Sequence, residues 1–105
     1  MKLNERPVPE PALRDPDSVE MLRVWIAEKG LHCALKIGMY RESMSVQEEK
    51  AWGKILADVA LHVANALKEG YNVDADVALE AIRESFLAEL MNDKVRTRGG
   101  IVQRH

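Results

Sequence analysis

The stretch LRVWIAEKGLHCALKI, Leu22–Ile37, alternates with period two on either side of Lys29-Gly30. That pattern narrows the possible folds more than any other feature, because it specifies an antiparallel hairpin with one dry face. A two-residue turn at Lys29-Gly30 sets Glu28 against Leu31, Ile26 against Cys33, Val24 against Leu35 and Leu22 against Ile37. Leu22, Val24, Ile26, Cys33, Leu35 and Ile37 then share one apolar side. The other side pairs Ala27 with His32, Trp25 with Ala34 and Arg23 with Lys36. Neighbours on a strand point to opposite faces, so Cys33 is expected in the core while His32 looks out. A Cys33–His32 catalytic couple is therefore disfavoured, and Cys33 reads as an inert thiol. Trp25, on the mixed side, is a large ring in need of cover from protein or a ligand.

Helical periodicity takes over after residue 44. Ser45 and Glu48 form an S-x-x-E capping box, and Gly70 supplies a C-terminal stop. Between them Trp52, Ile55, Leu56, Val59, Val63 and Leu67 make a stripe of large residues. A ridge of small residues, Gly53, Ala57, Ala60 and Ala64, runs beside it and lets another helix approach closely. Stripe and ridge together cover roughly 200° of the helix, about twice the apolar face of an ordinary surface helix. A second helix follows, with Asp74 as N-cap and Asp76 in its first turn. Its core stripe is Leu79, Ile82, Phe86 and Leu90, while Leu61 on the first helix and Leu87 on the second fall off the main stripes.

The ends differ in character. All four prolines lie at Pro7, Pro9, Pro11 and Pro16, so regular structure is not expected before about Asp17, and residues 1–17 read as a flexible arm. Residues 18–93 form the expected domain. Residues 94–105 form a basic tail with Lys94, Arg96, Arg98 and Arg104, frayed or adding a short edge strand at Ile101-Val102. A length of 105 residues suits one modest core. A net charge of −2 argues against nucleic acid as the main partner. No apolar run is long enough to span a bilayer or to serve as a signal-peptide core. With a single cysteine there is no disulfide framework, and a cytoplasmic location is expected.

Asp58 and His62 stand four residues apart on the first long helix, at the edge of its large-residue stripe. Such a pair orients an imidazole and raises its basicity, which is one part of a general base. Catalysis also needs a nucleophile or electrophile and a pocket, and no neighbouring residue supplies them. The three histidines and Cys33 do not fall at zinc-ligand spacing, and the H-E-x-x-H and H-x-x-x-H patterns are absent. Phosphate-cradling glycine loops and the G-x-S-x-G elbow are absent too. No metal, cofactor or catalytic residue is expected.

The blocks LRVWIAEKGLHCALKIG and WGKILADVALHVANAL resemble a small bacterial family catalogued as a domain of unknown function. Its members carry an L-R-V-W strand, a G-x-H strand and a W-G-x-x-L-A-D-x-A-x-H-V-A helix. Trp25, His32, Trp52, Gly53, Asp58 and His62 fall on those motif positions. The resemblance implies a recurring scaffold without an established activity.

The fold expected is α+β, in the order strand, strand, helix, helix, with the hairpin packed against the two helices. A lone two-stranded ribbon is marginal in water, so a third strand or a second subunit is expected to extend it. The wide apolar helix face points the same way, to a homodimer that acts as an assembly module. The alternative is a ligand-binding or enzymatic domain built on Asp58, His62, His32, Trp25 and Trp52.

Overall fold

The computed structural model describes residues 2–43 and 46–92. Ser45, the basic tail and the edge strand expected at Ile101-Val102 lie outside the described residues. The elements run α1 (Glu10–Arg14), β1 (Leu22–Ala27), β2 (Gly30–Leu35), α2 (Met39–Ser43), α3 (Glu48–Tyr71) and α4 (Ala75–Leu90). An antiparallel hairpin followed by two long helices makes the chain α+β in the order ββαα. It divides into two compact units that meet in sequence at Ile37 and Gly38. Among the described residues no helix is long and apolar enough to cross a membrane.

The first unit holds the hairpin and the segment before it. That segment contains the single-turn helix α1, although four prolines argued against regular structure there. Pro11 sits in the first turn, where a helix has no amide bond for proline to break. Ser18 Oγ–H donates to the Ala12 carbonyl at 2.9 Å and ties the exit of α1 back on itself.

The hairpin forms with a different register from the one expected. Leu22 faces Leu35, Arg23 faces Ala34, Val24 faces Cys33, Trp25 faces His32, Ile26 faces Leu31 and Ala27 faces Gly30. The turn is Glu28-Lys29, with φ of 50° and 63°, as a type I′ hairpin turn demands. Moving the turn by one residue shifts each pairing by two positions, so the apolar face keeps its membership. The gain is that Glu28 leaves the apolar face for the tip, where its charge is solvated. Against this stand two non-glycine residues in the left-handed region, which cost on the order of 1 kcal/mol each. Cys33 corrects the second expectation: it is exposed, as are Val24, Ile26 and Leu31 on the same side. Among the described residues no element of the hairpin's own unit covers that face.

The second unit is built on α3. The expected capping box is replaced by Gln47 as N-cap, without a side-chain cap bond, and Glu48 is committed elsewhere. At the other end α3 runs through Gly70 to Tyr71 and stops at Asn72, whose φ of 57° and ψ of 35° are left-handed. The Asn72 amide donates to Lys68 O at 3.0 Å. Asparagine tolerates this conformation, and here it does the work expected of Gly70. Asp74 caps α4 as its sequence implies, accepting from the Asp76 and Val77 amides at 2.9 and 3.1 Å.

The two long helices pack on each other. Their buried positions carry alanine: Ala64 and Ala51 on α3, Ala78 on α4. Ala51 and Ala64 lie about 140° apart around α3, so they are buried on different sides of it. The small ridge is buried only toward its C-terminal end, with Ala60 half-buried and Gly53 and Ala57 exposed. The large-residue stripe behaves unlike a core. Ile55, Trp52 and Leu67 are half-buried, but Leu56, Val59 and Val63 are exposed. On α4, Leu79 and Ile82 are half-buried, whereas Phe86 and Leu90 are exposed.

Candidate functional site

Three local constellations gather the polar and aromatic residues singled out by the sequence. The first is on the hairpin. Trp25 stands directly opposite His32, not Ala34, so the indole and imidazole share the mixed face. Trp25 is half-buried and His32 exposed. His32 Nε2 lies 3.0 Å from the Ala27 carbonyl. A carbonyl can only accept, so Nε2 carries the proton and the neutral ring presents its lone pair at Nδ1. The ring reaches back over Gly30 toward the turn. On β1, the strand of Trp25, Arg23 is held by Glu20 through two bonds, at 2.7 and 2.9 Å, and approaches Glu5 at 3.8 Å. The bond to Arg23 holds the Glu20 carboxyl below its usual range and the Arg23 guanidinium above its own.

The second constellation is Asp58 and His62, which do meet. His62 Nδ1–H donates to the Asp58 carbonyl at 2.8 Å and lies 3.3 Å from Asp58 Oδ2. Both acceptors bind the same nitrogen, which fixes the proton on Nδ1 and leaves Nε2 as the free lone pair. The arrangement orients an imidazole as a general base would need. Both side chains are well exposed, at 76% for His62 and 68% for Asp58, so the site is open to water. Water screening makes such an i, i+4 pair weak. Among the described residues no three His, Cys, Asp or Glu side chains gather as a metal would require.

The third was not found from sequence. Glu48, the first residue of α3, accepts four hydrogen bonds. Its Oε2 takes the Gly38 amide at 2.9 Å and Trp52 Nε1–H at 3.0 Å. Its Oε1 takes the Tyr40 and Arg41 amides, each at 3.0 Å. Three of these donors are the otherwise unpaired amides at the start of α2, so Glu48 caps a helix other than its own. The four bonds, led by the Gly38 amide, hold its carboxyl below the usual glutamate range against the opposing effect of burial. Gly38 has a φ of 102°, a backbone shape that admits glycine and strains other residues. The one sequence signal for this knot was the Glu48, Trp52 spacing of four, which places a carboxylate beside an indole on one helix face.

A solved structure from the photosynthetic bacterium Rhodopseudomonas palustris, described as a candidate pyruvate dehydrogenase, is similar to this chain. Identity is 28%, with 87% of this chain and 86% of that one covered and a TM-score of 0.66. No curated protein sequence matches the chain. The profile of the domain of unknown function DUF5076 matches residues 5–94, and it takes in the hairpin, α3 with its Asp58–His62 pair, and α4; the chain belongs to that family.

Proposed function

We propose that the protein is a self-associating assembly module: a cytoplasmic homodimer without chemistry of its own. One observation carries this reading. The apolar face of the hairpin and the large-residue stripe of α3 are built as interior surfaces yet are exposed in the single chain. Ile26 is 83% and Leu31 71% exposed, and Leu56, Val59 and Val63 are 40–45% exposed. Monomers rarely leave contiguous apolar patches of this kind open. Each fully buried side chain of this type is worth about 1.5–3 kcal/mol, which favours covering both surfaces in an interface. Native mass spectrometry at neutral pH tests it: a dimer mass with nothing else bound is expected, and a monomer at micromolar concentration overturns it.

The second reading, a ligand-binding or enzymatic domain, is favoured by the fixed tautomer of His62. Its Nε2 lone pair faces outward, as a base or ligand would need. A reproducible extra mass on the protein, lost in Asp58→Asn, would support that reading over the first. The activity named for the R. palustris relative belongs to that protein, and no constellation described above carries it to this chain.

A further inference from the structure

We propose that β2 of one copy pairs with β2 of a second copy about a two-fold axis at Cys33, joining two hairpins into a four-stranded antiparallel sheet. The inference rests on the self-association reading and names its contact. The two edges of the hairpin are unlike. β1 carries Arg23, clamped by Glu20 and approached by Glu5 from the preceding segment. β2, with the sequence GLHCAL, carries neither a charged residue nor a proline, the usual devices that keep an edge from pairing, and the one charge on its ladder, Lys36, lies just past its end.

The outward-facing groups of β2 follow from the turn. In a two-residue hairpin Ala27 and Gly30 exchange bonds, and the Lys36 amide still bonds Met21 O at 3.0 Å, so the even-numbered residues of β2 face β1. The amides and carbonyls of Leu31, Cys33 and Leu35 therefore face outward. No other hydrogen bond to them occurs among the described residues. Side-chain parity then restricts the register. Only a pairing whose residue numbers sum to an even value keeps Leu31, Cys33 and Leu35 on the apolar side of both copies. The ladder runs from Gly30 through the end of β2 at Leu35 to Lys36 just beyond it, where Gly30 would face Lys36 of the other copy, and its middle residue is Cys33. Full overlap about a two-fold axis therefore sets Cys33 against its own copy, Leu31 against Leu35, and His32 against Ala34. No charge meets a like charge. The result also lengthens a ribbon that is marginal with two strands.

Facing residues in a hydrogen-bonded pair lie about 5.5 Å apart at Cα, inside the 4.4–6.8 Å that a disulfide spans. The test uses the full chain, reduced and then exposed briefly to copper–phenanthroline, which accepts the two electrons as two thiolates join. Mass by native spectrometry is read before oxidation, and the cross-linked fraction afterwards on a non-reducing gel. A dimer that cross-links through Cys33 roughly tenfold more than the variant Cys33→Ser/Ala34→Cys supports the proposal, because residue 34 faces the opposite side and has no copy of itself across the axis. A dimer that fails to cross-link, or that cross-links equally through residue 34, overturns the β2 pairing and leaves self-association standing. A monomer overturns both.

Discussion

The indole Nε1–H of Trp52 and the amides that open α2 converge on one carboxylate, Glu48, with Trp52 at 3.0 Å. This couples two helices through a charge. The folded-state pKa of Glu48 is lowered, so its contribution is complete above the ordinary glutamate range and is lost as pH falls through the folded-state value. Acidification below the usual carboxylate range should therefore detach α2 from α3 before α3 and α4 separate. The Trp52 indole proton, followed by NMR from neutral to acidic pH, should move first. Glu48→Gln should shift that resonance already at neutral pH, since a neutral amide cannot accept four donors. An unchanged indole signal in Glu48→Gln would count against the cap.

Gly30 distinguishes the observed register from the one its sequence suggests. In a Lys29-Gly30 turn it would need a positive φ, and alanine there would be costly. In the structure it lies in the ladder opposite Ala27, and an added Cβ would meet only ordinary contacts, at 3.8 Å to His32 Nε2 and 3.9 Å to Ala27 O. Gly30→Ala should therefore stabilise by about 0.5 kcal/mol, through a less mobile unfolded chain. Urea unfolding decides this by the sign of the change.

Gly38 is the contrasting case. Its φ of 102° is closed to other residues without strain, and a Cβ would come within 2.9 Å of Glu42 Oε2. The Glu42 carboxylate is the far end of a flexible side chain and can move aside, so the backbone conformation sets the cost. Gly38→Ala should destabilise by about 1–2 kcal/mol, read by the same unfolding measurement.

The faces of the hairpin were legible because parity survives a two-residue slip: Val24, Ile26, Leu31 and Cys33 share a side in either register. The turn was not, because glycine at position 30 signals a bend while the solvation of Glu28 selects the other one. The same substitution of one residue for another occurs at the end of α3, where Asn72 takes the left-handed position and Gly70 stays helical. Asp58 and His62 could be read directly, since spacing by four on a helix is local geometry. Glu48 could not, because three of its donors lie seven to ten residues upstream and reach it only once α2 has turned. What covers an apolar stripe is likewise not written in the stripe itself, and Val59 and Val63 satisfy the pattern of a core without being in one.

Asp58 and His62 should matter little to the stability of the single chain. Their pair is exposed and of the i, i+4 type, worth about 0.3–0.5 kcal/mol. Asp58→Asn should leave thermal unfolding nearly unchanged, and because the Asp58 backbone carbonyl still accepts from Nδ1–H at 2.8 Å, the His62 tautomer should persist by NMR at neutral pH. A loss of several kcal/mol would instead place the pair inside an interface, where a buried partnered charge is far more costly to break.

The stripe on α3 gives the sharpest separation of folding from assembly. Val59 lies at its centre and is 45% exposed, whereas Ala64, buried on the helix that packs against α4, sits about 140° round from it. Val59→Glu places a charge in the stripe away from Ala64, and glutamate is a better helix former than valine. Far-ultraviolet circular dichroism should therefore be unchanged. If the stripe is an interface, desolvating the new carboxylate opposes association, and the dimer dissociation constant should rise at least about tenfold, the equivalent of about 1.4 kcal/mol. Sedimentation equilibrium of the two proteins at matched concentration reads this directly. An unchanged constant would move the interface off α3, leaving the hairpin edge as the contact between copies, and a parallel loss of helicity would show that the stripe serves the fold of the single chain.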